Sequence, residues 1–151
     1  MAMRRTSQST RGMDYPLDPQ GFDPVATMPA AGFFGFAFRA RDERSATVAL
    51  PLRPELFQGQ QRVHGGVIAS LADTCAVWLL LPRVLPERTI TSIEFKLNFV
   101  RPAVAERGEL LALARPVRVG RTVALADVDV TQAGELVAKG LFTYLVSPLE
   151  R

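Results

Sequence analysis

His64, Gly65, Gly66 and Asp73 lie in the one stretch of this sequence whose residue types and spacing suggest chemistry. It reads Val63-His64-Gly65-Gly66-Val67-Ile68-Ala69-Ser70-Leu71-Ala72-Asp73-Thr74. Two glycines ahead of an apolar run mark a helix start whose backbone is free of side chains. First-turn N–H groups have no intrahelical partner and stand at the positive end of the helix dipole. A carbonyl oxygen docked on them would be polarised, and an oxyanion formed from it stabilised. The same glycines would also suit plain close packing of helix on sheet. Asp73 is the second feature. Inside an apolar helix an aspartate has poor propensity and a large desolvation cost unless it is paired or faces a cleft. It reads either as a working carboxylate or as a structural one satisfied by a backbone group or an arginine. His64, the only histidine, invites a general-base reading.

These residues need a helix to hold them. Between Val67 and Leu81 only Ser70, Asp73 and Thr74 are polar. The pattern predicts a helix over 65–81, apolar all round and therefore wrapped by the rest of the chain, ended by Pro82 and Pro86. Ahead of it, Phe34, Phe36, Phe38 and Ala40 alternate over 32–40, and 45–52 alternates again after the polar turn Arg41-Asp42-Glu43-Arg44. These predict a hairpin. A short turn over 54–57 and a polar loop over 58–62 follow. Beyond the helix, 90–100 places Ile93, Phe95, Leu97 and Phe99 on one face and Ser92, Glu94, Lys96 and Asn98 on the other. Strand patterns over 109–119, 122–131 and 136–146 complete the chain. The expected class is α+β, a curved antiparallel sheet of about six strands around one long helix. Residues 1–30, punctuated by Pro16, Pro19, Pro24 and Pro29, read as an extended lead-in, and 31–151 as the single domain.

Helix arithmetic constrains the site. Gly65 and Asp73 are eight residues apart, about 12 Å along a helix axis. One small reacting group cannot touch both. Either only one is used, or the aspartate comes from a second copy of the helix lying antiparallel to the first.

Bulk composition narrows the classes. The chain has 151 residues, 48% hydrophobic and 22% charged, as an ordinary globular domain does. Cys75 is the single cysteine, which leaves no internal disulfide and no cysteine cluster for zinc. The net charge of +3 carries no basic stripe interleaved with aromatics, so nucleic acid is not an expected partner. Arg4 and Arg5 are followed by no apolar stretch, and the run from Val67 to Leu81 is shorter than a bilayer span and carries Asp73. We therefore expect a cytoplasmic protein with no membrane association, no metal and no cofactor.

The run HGGVIASLADT resembles the signature of the PaaI-type hotdog thioesterases, a group related to the 4-hydroxybenzoyl-CoA thioesterases. Thr91 to Ala103, ending in Arg101-Pro102-Ala103, is similar to the family's strand after the helix, and Gly120-Arg121 and the closing stretch Gly134 to Gly140 are similar to its late hairpins. The resemblance covers about residues 32–147. It implies the hotdog fold, hydrolysis of an aryl or medium-chain acyl-CoA, and self-association to a dimer or a dimer of dimers. It implies that the Gly65 N–H meets the thioester oxygen with Gly66 beside it. Asp73 would be the general base or nucleophile, and Ser92, or Thr91, would position the water. Gln58 stands where members carry an asparagine, and Gln61 where many carry a glycine. His64 would orient the loop by hydrogen bonds. Coenzyme A brings phosphates, for which Arg118 and Arg121 beside Gly120 are the expected grips, ahead of Arg101 and Arg115. A non-catalytic acyl-CoA sensor and a hotdog dehydratase or hydratase are the alternatives.

Overall fold

The computed structural model describes residues 28–149. Most of the lead-in expected over 1–30 therefore lies outside the described residues. In chain order the elements are helix α1 (Pro29–Phe34), strands β1 (Ala37–Arg41) and β2 (Ala46–Leu50), the short pair β3 (Phe57–Gly59) and β4 (Arg62–Val63), and helix α2 (Gly65–Leu80). Strands β5 (Arg88–Phe99), β6 (Leu110–Val119), β7 (Val123–Gln132) and β8 (Glu135–Pro148) follow. Six strands form one antiparallel sheet in the order β1-β2-β6-β7-β8-β5, and β3 and β4 form a separate ribbon.

The sheet curves around α2, which rests chiefly on β6, β7 and β2. Small residues dominate beneath it: Ala112, Ala114, Ala124 and Ala126 are all fully buried. They let the helix backbone settle on the sheet, while Leu71, Leu79, Leu80, Phe142 and Tyr144 fill the space around it. Cys75 sits in this core, its thiol donating to the carbonyls of Ala46 and Ala112, and burial pushes it up to about 12. Gln132, the one buried polar residue among those described, pins the β5–β6 connection. Its amide nitrogen donates to the Val104 and Gly108 carbonyls, and its oxygen accepts from the Val104 N–H.

The observed elements depart from the sequence reading at four places. Residues 29–34 are helical where the alternation of Phe34, Phe36 and Phe38 predicted strand from 32. Pro29 sits in the first turn, and Gly35, at φ 79°, closes the last by donating its N–H to Ala31 and Gly32. The loop over 58–62 is instead a ribbon turning at Gln60 and Gln61, both at positive φ. Helix α2 ends at Leu80 and tightens into a 3-10 turn over Leu81–Arg83, where Pro82 lies. Finally, α2 is not wrapped on all sides: Ala69, Ser70, Asp73, Thr74 and Val77 form a half-exposed stripe. Gly65–Arg83 has the length and apolar content of a membrane span, yet its apolar side is buried in the core, as in the central helix of a globular domain.

Candidate active site

The start of α2 is fixed by the segments around it. The Val63 N–H donates to Ala103 O at 3.0 Å, and the His64 N–H to Leu56 O at 2.9 Å. His64 then caps the helix. Its Nδ1 accepts from the Gly66 N–H at 2.9 Å, and its carbonyl accepts from the Val67 and Ile68 N–H groups. A side chain on Gly66 would begin 3.0 Å from His64 Nδ1, so glycine there leaves room for the capping ring. One first-turn donor remains: the Gly65 N–H has no partner among the described residues. Gly65 lines a cavity of about 380 Å³ together with Gln58, Arg62, Phe99 and Arg101 among others. Arg101 Nη1 donates to Leu136 O at 3.0 Å, and Arg62 has no ion-pair partner among the described residues.

Two turns along the helix, Asp73 faces the half-exposed stripe. Ser92 Oγ donates to its Oδ1 at 3.0 Å, and Tyr144 Oη donates to the same oxygen at 2.7 Å. Oδ2 has no hydrogen-bond partner among the described residues. Tyr144 is fully buried, and burial together with the charge of Asp73 pushes its phenol far up, so it stays a donor.

Strict alternation along β5 would put Ser92 on the face away from Phe95. A bulge at Ile93 changes this. Ser92 pairs with Tyr144 and Glu94 with Thr143, leaving Ile93 without an opposite residue. Directly opposite residues share a face, so Ser92 joins Tyr144 on the helix side. After the bulge, Phe95 stacks on buried Phe142 at 5.1 Å on that same side.

The structure thus gathers Asp73 and Ser92, and separately Gly65, Gln58 and the capping His64. Gly66 has its N–H turned to His64. Thr91, paired with Leu145, falls on the opposite face from Ser92. Arg118 and Arg121 are exposed at the β6–β7 turn and do not line the cavity. Arg115 is engaged with Asp129 at 3.0 Å. Trp78 packs edge-on to Phe38 at 4.8 Å beneath the Arg41 guanidinium, in the core near β1. Sequence reasoning passed over Tyr144 and Arg62.

The model of the thioesterase superfamily matches residues 60–139, just over half of the chain. The chain belongs to the thioesterase superfamily. It is similar to a Halobacterium salinarum protein named as a candidate esterase, at 34% identity over 104 residues, covering 65% of this chain and 66% of that one. It is also similar to mouse acyl-coenzyme A thioesterase 13, at 31% identity over 84 residues, 54% of this chain and 58% of the relative. The matches thus span about three fifths to two thirds of these curated relatives. Among solved structures, a thioesterase-like phenylacetic acid degradation-related protein from Ralstonia eutropha JMP134 superposes with a TM-score of 0.75 at 27% identity, covering 84% of this chain and 95% of that one. The fold is the hotdog, a six-stranded antiparallel sheet around one long helix, and the PaaI-type resemblance holds.

Proposed function

We propose that this thioesterase-superfamily protein hydrolyses an acyl-coenzyme A, with Asp73 as general base or nucleophile and the Gly65 N–H polarising the thioester carbonyl. The observation that carries the reading is the Asp73 carboxylate, held through Oδ1 by Ser92 and Tyr144 with Oδ2 open. The unbonded Gly65 N–H supports it from the other end. In the general-base form, Asp73 takes a proton from water as the water oxygen attacks the carbonyl carbon. The oxyanion forms against the Gly65 N–H, and collapse expels the coenzyme A thiolate, which takes up the proton. In the nucleophilic form, Oδ2 attacks the carbonyl carbon and the C–S bond breaks, expelling the coenzyme A thiolate and leaving a mixed anhydride. Water then hydrolyses the anhydride, which restores the Asp73 carboxylate, and the proton released goes to the thiolate. The products are the free acid and coenzyme A in both.

Because Gly65 and Asp73 are too far apart to share a substrate within one helix, we place each site between two copies of the chain. Strand β5 ends the sheet with an unpaired outer edge and exposes Ile93, Phe95 and Phe99 at 55%, 47% and 53%. Beside it runs the half-exposed stripe of α2. An apolar edge of this length is a natural seat for a second copy, and a two-fold arrangement would bring the two helices together antiparallel. A dimer of such dimers, an aryl or medium-chain acyl group and a cytoplasmic setting complete the proposal. Arg118 and Arg121 remain the proposed phosphate grips, joined by Arg62 and Arg101 at the cavity. Release of free thiol from a panel of aryl- and alkyl-CoA thioesters tests the reading. Steady turnover is expected for at least one class, lowered about 100-fold or more by Asp73→Asn. Tight binding without thiol release would identify a sensor, and hydration of an enoyl-CoA a hydratase.

A further inference from the structure

Tyr144 belongs to no motif singled out in the sequence, yet it makes the shorter of the two contacts to the candidate carboxylate. It lies on β8 directly opposite Ser92, fully buried between Phe142 and Val146 on the helix side of the sheet. A phenylalanine would satisfy that apolar environment. A buried hydroxyl is costly unless bonded, and this one has a specific partner: Asp73 Oδ1 at 2.7 Å, with the Asp73 carbonyl at 3.3 Å. Ser92 donates to the same oxygen at 3.0 Å. The terminal torsion of an aspartate is broad and two-fold, so a carboxylate on a half-open stripe would otherwise turn freely. Two donors converging on one oxygen remove that freedom.

We propose that Tyr144 is a positioning residue which, together with Ser92, fixes Asp73 through Oδ1 so that Oδ2 alone meets the attacked carbonyl or its water. The inference rests on the proposed role of Asp73. It also gives Ser92 a different task from the one the resemblance implies, since its hydroxyl proton goes to the carboxylate and not to water.

The test is Tyr144→Phe, alone and combined with Asp73→Asn. The single variant is expected to lower kcat about tenfold while KM for the acyl-CoA stays unchanged. In the Asp73→Asn background the same change is expected to cost nothing further, because its effect travels through the carboxylate. A wild-type kcat in Tyr144→Phe, or an equal loss in both backgrounds, overturns the positioning role while leaving the proposed activity standing. Full turnover by Asp73→Asn overturns both. Should the phenylalanine variant not fold, 3-fluorotyrosine reads the same point. The chain has two tyrosines, so in a Tyr15→Phe background only position 144 is labelled. The more acidic phenol is expected to alter kcat with KM held, and an unchanged kcat overturns the role.

Discussion

The ring of Phe99 stands 3.3 Å from the point where a side chain on Gly65 would begin. Strand β5 thereby presses on the first residue of α2 and defines the space left beside the Gly65 N–H. Phe99 is 53% exposed and able to give way. Gly65→Ala is therefore expected to fold with a melting temperature within a few degrees of the parent. Its methyl group crowds the donor, so kcat/KM should fall about tenfold, equivalent to about 1.4 kcal/mol of transition-state stabilisation. Thermal melting and thiol-release kinetics check the two halves. Unchanged kinetics would remove the Gly65 N–H from the site.

A site shared between chains makes a quantitative prediction. Asp73→Asn spoils the carboxylate, and Gly65→Pro removes the donor. Proline is acceptable in a first turn, and His64 before it already has φ −63° and ψ 134°, the extended conformation that precedes proline. Each variant alone should keep no more than about a hundredth of the parental turnover. Mixed dimers place both defects in one site and leave the other intact, so random reassociation should restore about a quarter of the parental activity. Mixing with subunit exchange verified by mass, yet without recovery, would assign each site to a single chain.

Phosphate recognition separates the arginines. Changing Arg118 and Arg121 to alanine is expected to raise KM for an acyl-CoA several-fold more than for a short pantetheine thioester. The same comparison at Arg62 and Arg101, which line the cavity beside Gly65, should show the same sign. Equal rises on both substrates for a pair would exclude it as a phosphate grip.

Two stability predictions lie away from the site. Gln132→Leu strips partners from three part-buried backbone groups of Val104 and Gly108, at a cost of about 1–3 kcal/mol by urea denaturation. At the outer sheet face, burial alone would raise the Asp129 carboxyl. Lys139 at 2.7 Å and Arg115 at 3.0 Å outweigh that and hold it below the usual range. A depressed carboxyl contributes stability above its unfolded value of about 3.9 and loses it as pH falls through the folded value. Asp129→Asn should thus lower the unfolding free energy at pH 7 by under about 1 kcal/mol for so exposed a network, read by urea denaturation. The difference should fade as pH falls below that unfolded value.

Much of this architecture can be read in the chain because its signals are local. Pro82 and the largely apolar run from Val67 declare α2, and the later strands alternate cleanly with glycine at their turns. The failures are equally specific. Phe34, Phe36 and Phe38 alternate by coincidence across a helix end, and only Gly35 hints at the break. Gln60 and Gln61 adopt positive φ without the Asn-Gly or Asp-Gly that usually marks such a turn. The bulge at Ile93 falls in a seamless alternation, so pattern alone puts Ser92 on the wrong face. Tyr144 looks like core because the residue it serves is 71 positions away in sequence. Residue types and spacing single out Gly65 and Asp73 as candidates, whereas the hydrogen-bonding around each cannot be read from the chain.

The depth at which Cys75 lies has a practical consequence. Its thiol, pushed up to about 12 by burial, should stay silent toward a thiol reagent while the fold holds, so the colour that develops reports released coenzyme A alone. Once the core opens, the same reagent should titrate one equivalent per chain. Catalysis and unfolding can then be timed in a single cuvette, the first by its dependence on substrate and the second by its indifference to it.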